Sequence, residues 1–474
     1  MSYTNGLDNP ELYFQTKLYT GNDSDNHSIT LDGSENMQPD WLWIKQRGDA
    51  GYDHSLTDSV RGSTKMIYSS QFRAEDTHST GVKSYDTDGF TLGTDDGSGG
   101  AFANLVNYTK NYVAWCWKAG GTAPAITYTV KVVSDSGNKY RFDDFGTSAV
   151  TLDLQEGGTY TFDQSDSSNS GHPLRFYTSS DKSGGEYTTG VTTTGTAGSS
   201  GAKTVITVAA SAPTLYYQCS NHAGMGGQAN TNSTFGSSNF GGSIQSTVSA
   251  NTTAGFSIVK YTGTDGTATV GHNLGVEPST IIFKCLDNGN KNWVVYDKDL
   301  TNAGSIYLDE TSASSTSYDY FADTSPTSTV FTVKKDSSYD EVNNNGSNFI
   351  AYCFAEKKGY SKFGSYEGNG STDGTFVYTG FRPAFVMTKS MDSTSNWEIK
   401  DNTRSTFNPI DDYIKANANA AEDTGVSSHA MDFLSNGFKH RGSNDEVNGS
   451  ETYIYMAFAE SPFVNSKSVP TNAR

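Results

Sequence analysis

The chain has 474 residues, of which 12% are aromatic and 18% charged, with 49 glycines and a formal net charge of −19. At roughly 100–200 residues per domain this length holds three or four domains. A composition poor in helix formers but rich in aromatics, Thr, Ser, Asn and Gly fits short strands and many turns, and argues against a helical bundle or coiled coil.

The acidic balance disfavours nucleic acid and anionic membrane as partners. No run reaches the roughly 18 apolar residues of a membrane helix, so membrane insertion is not expected. The opening Met1-Ser2-Tyr3-Thr4-Asn5-Gly6 shows no signal-peptide pattern. Four cysteines are too few for a disulfide framework.

The first module carries Tyr19-Thr20-Gly21, then Pro39-Asp-Trp-Leu-Trp-Ile-Lys45, which reads as a buried strand with proline at its start, where no ladder donor is needed. Asp58 and Arg61 follow, read as a structural ion pair. The Glu75-Asp76 pair reads as a solvated loop, because no calcium-loop spacing accompanies it. Asp88-Gly89-Phe90 marks a turn into a strand, and Tyr112-Val-Ala-Trp-Cys-Trp117 closes the module as an aromatic strand.

A different segment, 119–226, comes next. It opens with the alternating strand Ile126–Val133 and continues through Val150–Leu154 and Tyr160-Thr-Phe162. It then holds Gly171-His172-Pro-Leu-Arg-Phe176 and Thr214-Leu-Tyr-Tyr-Gln-Cys219-Ser-Asn-His222-Ala-Gly-Met225. Residues 227–251 have the Gly/Ser/Asn composition of a linker.

The first module's motifs then recur twice. Pro278–Lys284 and Pro383–Lys389 repeat the Pro-x5-Lys strand, and Tyr261-Thr-Gly263 and Tyr366-Glu-Gly368 repeat the Tyr-x-Gly. Asn396-Trp397 matches Asn292-Trp293, and Asp401/Arg404 matches Asp58/Arg61. Glu422-Asp423 matches Glu75-Asp76, and Gly437-Phe438 matches Gly89-Phe90. Phe349–Phe354 and Tyr453–Phe458 repeat the closing strand.

The expected domains are therefore 1–118 (module one with an N-terminal arm), 119–226, the linker 227–251, 252–357 (module two) and 358–474 (module three with a C-terminal tail). The expected fold class is all-β, with three antiparallel β-sandwich modules of jelly-roll type and one inserted sandwich. Three copies could stand as beads on a string or as a compact trio. Cys116 and Cys353 share a repeat position and, with Cys285, read as small core side chains.

The inserted segment resembles the cupredoxin family of small blue-copper sandwiches. That resemblance implies a ligand set of His172, Cys219, His222 and Met225, with copper as the ion. A thiolate, two imidazoles and a weak axial thioether suit a trigonal copper site. Relatives of this fold also occur with the metal lost, so an empty site stays open. The resemblance further implies that the four side chains converge at one end of the sandwich.

The Trp-Ile-Lys…Asp-Gly-Phe…Tyr-Val-Ala-Trp-Cys-Trp modules, and the closing run Met456–Phe463 with Asn472-Ala-Arg474, resemble virion structural proteins of marine bacteriophages, cyanophages especially. What this implies is a non-enzymatic tail fibre or capsid-projecting knob acting in host attachment, with glycan binding as one contact chemistry. Other virion proteins and a host surface receptor are then the partners, a homotrimer the expected oligomer, and the virion, assembled in the host cytoplasm, the location. The alternatives are a copper redox or electron-transfer protein acting through the insert, and a glycan-degrading tail enzyme.

Overall fold

The computed structural model describes residues 7–94, 106–121, 123–232, 234–336 and 339–462. The opening hexapeptide and the closing Asn472-Ala-Arg474 motif lie outside them. The described chain is almost entirely β, in multiple antiparallel sheets. No helix in it is long and apolar enough to cross a membrane.

One strand order occurs three times. In module one it runs Phe14–Thr20, Asn111–Trp117, Trp41–Gln46, Ser55–Asp58. In module two it runs Phe256–Thr262, Asn348–Phe354, Thr280–Cys285, Val294–Asp297, and in module three Ser361–Glu367, Thr452–Pro462, Phe381–Ser390, Glu398–Asp401. The last strand of each module thus lies between its first and second. A smaller sheet covers one face of each, built around Gly89–Leu92, Val330–Lys334 and Gly437–His440.

The inner main-sheet strands, Trp41–Gln46 and Asn111–Trp117 in module one, are buried on both faces while the edge strand Phe14–Thr20 stays partly exposed, and the period of two decides what each face meets. Along Asn111–Trp117, Tyr112, Ala114 and Cys116 point into the module's own interior. Val113, Trp115 and Trp117 point the other way, into a core shared with Tyr352 and Phe354 of module two and Phe385 and Phe458 of module three. The modules are therefore a compact trio, packed back to back around one aromatic centre.

Cross-module hydrogen bonds repeat in cyclic order. Glu75 N–H donates to Leu286 O, Ser314 N–H to Met391 O, and Glu422 N–H to Arg47 O, at 2.8, 2.9 and 2.9 Å. Buried Asp58 accepts from Tyr352 of module two at 2.7 Å, and buried Asp401 from Trp115 of module one at 3.0 Å.

The repeat motifs have matching local roles. Tyr19, Tyr261 and Tyr366 each donate a hydroxyl to a valine carbonyl (Val106, Val342, Val447) at 2.7 Å. The glycine two residues on must be glycine. A Cβ there would lie 2.0–2.3 Å from a backbone oxygen in all three copies. Arg61 and Arg404 are buried against Asp58 and Asp401, and each also reaches a glutamate, Glu75 or Glu422. The cysteines are buried and free.

Three expectations need correction. The glutamates Glu75 and Glu422 do not sit in a solvated loop, because each carboxylate is drawn in to pair with a buried arginine. Pro383 is not at a strand start. It lies inside Phe381–Ser390 at a register shift, where a bulge removes the need for its missing donor. Residues 227–251 are largely strand and not linker. Gln228–Asn232 completes a sheet of the insert, while Ser237–Asn239 and Ser246–Asn251 extend the module-two sheet to seven strands. Their polar side chains are bonded inward, as where Ser238 Oγ accepts from Asp153 N–H at 2.8 Å and Thr247 Oγ1 donates to Asp153 at 2.6 Å.

The insert is a two-sheet sandwich with its own core, from Tyr128 to Ala229, joined by Phe240. Each sheet contains one parallel pair. These are Ala125–Ser134 with Thr159–Asp163 and Leu152–Gln155 with Gln228–Asn232.

Candidate metal centre in the inserted sandwich

The Leu174–Tyr177 strand pairs antiparallel with Leu215–Cys219, placing Leu174 opposite Cys219. His172, two residues before Leu174, therefore arrives at the end of the sheet where Cys219 ends its strand. Ser220 N–H donates to Pro173 O at 3.0 Å, and Asn221 Nδ2 donates to Gly171 O at 2.9 Å, tying the two segments together.

The loop then brings His222 back over Cys219. The Cys219 sulfur lies 3.8 Å from His172 Nδ1 and 3.5 Å from His222 Nδ1, and the imidazole centroids are 4.6 Å apart. The three ligand atoms all lie within 4.8 Å of one another. Met225 is buried in the same core as Cys219, and its carbonyl accepts from Tyr140 N–H at 2.9 Å. Gly226 follows because a Cβ there would sit 1.6 Å from Tyr217 O.

These separations suit a bound ion. Metal bonds of about 2.0–2.1 Å to nitrogen and 2.3 Å to sulfur, at angles of about 110–120°, give nitrogen–sulfur edges of about 3.6–3.8 Å. Cys219 is buried, His172 half-buried and His222 exposed, so an ion has an entry path on the His222 side. Burial, followed by the neighbouring His222, holds His172 below the usual histidine range, which favours the neutral, ligating imidazole.

Outer contacts fix these ligands in ways the sequence did not signal. The His172 carbonyl accepts from Tyr140 Oη at 2.8 Å and Gln164 Nε2 at 3.0 Å. Asn138 Nδ2 stands 3.4 Å from His172 Nε2, on the ring edge away from the sulfur. Lys182 Nζ donates to the carbonyls of Cys219, Ser220 and His222 at 3.1–3.4 Å, capping the ligand loop.

A second cluster, Glu398, His429 and Glu446 in module three, also escaped sequence reasoning. Its members are spread over 49 residues with no motif spacing. His429 Nδ1 lies 2.6 Å from Glu398, and Lys400 Nζ lies 3.1 Å from the same carboxylate, so an ammonium already supplies the cation there.

A family model described as a domain of unknown function, DUF7483, matches residues 9–152 and 228–462. The chain belongs to that family. The DUF7483 match covers the three modules and passes over 153–227, which hold all four candidate ligands. No curated protein matches the chain.

Proposed function

We propose that this DUF7483 protein is a structural protein on the outside of a bacteriophage particle, acting in host attachment as a tail fibre or capsid-projecting knob. The observation that carries this reading is how the recurring residues are used. Tyr-x-Gly, Asp/Arg and the aromatic closing strands all lock modules internally or to each other around one core. A body built this way is a stiff mount, the property that an attachment protein needs. The resemblance of the modules to marine bacteriophage virion proteins supplies the setting, with other virion proteins and a host receptor as partners. Multivalent attachment is served by a homotrimer, which sedimentation of the purified chain tests. Immunogold electron microscopy of the particles, using antibody against the purified chain, should label their exterior. Unlabelled particles from a host that expresses the chain would refute the reading.

A second reading, a copper-binding redox or electron-transfer protein, is favoured by one observation. Two Nδ1 atoms and a buried thiol face one point. His172, Cys219 and His222 would hold the ion, while Met225 lies in the same core as Cys219. When bound, copper would supply a one-electron couple there. The chain's own part is to hold two imidazoles and a sulfur at fixed separation, through Lys182, Tyr140 and Gln164. Titration with Cu(II) should produce an intense visible thiolate-to-copper band in the wild type and none in Cys219→Ser.

A further inference from the structure

A cleft of about 990 Å³ opens between the N-terminal segment of module one and module three. Its walls come from chain positions far apart, among them Asp8 and Glu11, Arg382, Phe407, Asn436 and Glu460. Phe407 is 83% exposed, the highest value among the exposed large hydrophobics of the described residues. Most of the ring is therefore open to solvent where it lines the cleft.

That ring stands on a fixed support. Neighbouring Asn408 donates from Nδ2 to Phe433 O at 3.0 Å and accepts from Phe433 N–H at 2.9 Å, clamping the loop to the Met431–Leu434 strand. On the opposite wall, Glu11 accepts from Ser34 N–H at 2.8 Å and from Ser34 Oγ at 2.5 Å. Arg382 is paired with Glu460. The polar groups are thus positioned before any ligand arrives.

We propose that this cleft binds a neutral oligosaccharide, with Phe407 stacking on a sugar ring and the carboxylate and amide groups accepting from and donating to its hydroxyls. Three observations select that class. An exposed aromatic beside planar polar groups matches the two-sided character of a pyranose, which has an apolar C–H face and a hydroxyl rim. The lining carries Asp8, Glu11 and Glu460 against Arg382, so it repels sulfated or uronic chains. The volume lies at the upper end of the roughly 300–1,000 Å³ typical of ligand pockets, enough for more than one ring.

The proposal deepens the attachment reading by naming a contact site. It is tested on purified full-length chain, so it can fail while the chain is still found on particles, and the reverse. The probes are neutral tri- and tetrasaccharides of glucose, galactose and mannose, with a sulfated and a uronic oligosaccharide as controls, measured by saturation-transfer NMR and calorimetry. At least one neutral probe should bind, and Phe407→Ala should weaken it about tenfold or more. Tyr378→Ala, which removes another exposed aromatic outside the cleft, should leave binding unchanged. Equal melting temperatures of both variants and the wild type would establish that folding is intact. No binding by any neutral probe, unchanged affinity in Phe407→Ala, or preference for the anionic controls would overturn the proposal.

Discussion

The indole N–H of Trp397 donates to the backbone carbonyl of Tyr307 at 2.8 Å, reaching from module three into module two. Trp293 makes the same bond from module two to Tyr68 O of module one, also at 2.8 Å. At the equivalent place in module one stands His54, whose Nε2 lies 3.0 Å from Lys415 O of module three. Three ring nitrogens on three carbonyls close a circle in which every module holds its predecessor.

Trp397→Phe should leave the part-buried Tyr307 carbonyl unpaired and also remove the outer part of the indole from the packing. A loss of about 1–3 kcal/mol is expected, read as a lowered urea midpoint. An unchanged midpoint would mean that the circle adds nothing to the aromatic packing.

Asp297 occupies the position of Asp58 and Asp401, but Leu300 stands where they have arginine. Burial pushes its carboxyl up to about 7, against lowering bonds from Thr280 and Asp299. A raised acid favours the folded state below its unfolded value of 3.8, and that stability is lost as pH rises through about 7. Asp297→Asn should flatten the decline in melting temperature between about pH 4 and 7. The decline should not vanish, because Asp40 is also raised, to about 6.

Lys45, Lys284 and Lys389, the lysines of the Pro-x5-Lys strands, are buried, and burial lowers each to about 8. Lys284 Nζ bonds Phe72 O of module one, and Lys389 Nζ bonds Thr311 O of module two. The groups facing them are acids, Asp53 and Glu422 for Lys45, Asp309 and Glu341 for Lys284, and Glu446 and Glu451 for Lys389. A depressed lysine contributes stability that is complete above its unfolded value of 10.5 and lost as pH falls through about 8. Unfolding free energy should therefore rise from pH 8 to 9.5, measured by guanidinium titration at each pH. A flat or falling profile would contradict the assignment.

The repeats were legible because each motif residue has a local job. The tyrosine needs its valine carbonyl and the glycine needs its close backbone, so both recur in the chain. What those strands faced was not legible. A strand buried against one module looks the same in sequence as a strand buried between three, and Trp115 and Cys116 differ only in parity. Ser237 and Asn239 read as linker because composition does not reveal that polar side chains are bonded inward. In the insert, ligand types and order were readable from His172, Cys219 and His222. Lys182 and Tyr140 were not, because they act through backbone carbonyls and the lysine's own surroundings carry no spacing pattern. The Phe407 cleft escaped for a related reason, since its walls come from opposite ends of the chain.

Lys182→Met should loosen the ligand loop without removing a ligand. Affinity for Co(II), followed by its d–d and thiolate absorption, should fall about 10–100-fold, with the fold retained by circular dichroism. Wild-type affinity would mean that the loop is held by Asn221 and Ser220 alone.

The shared aromatic centre has a temporal consequence. Phe14–Thr20 pairs with Asn111–Trp117, so the first module can close as soon as its own residues have left the ribosome. Its outer face cannot. Trp41, Trp43, Trp115 and Trp117 have their covering partners as late as Phe458. At about 5–20 residues per second, that tryptophan surface waits tens of seconds during synthesis, the interval in which the nascent chain is most exposed to misassociation.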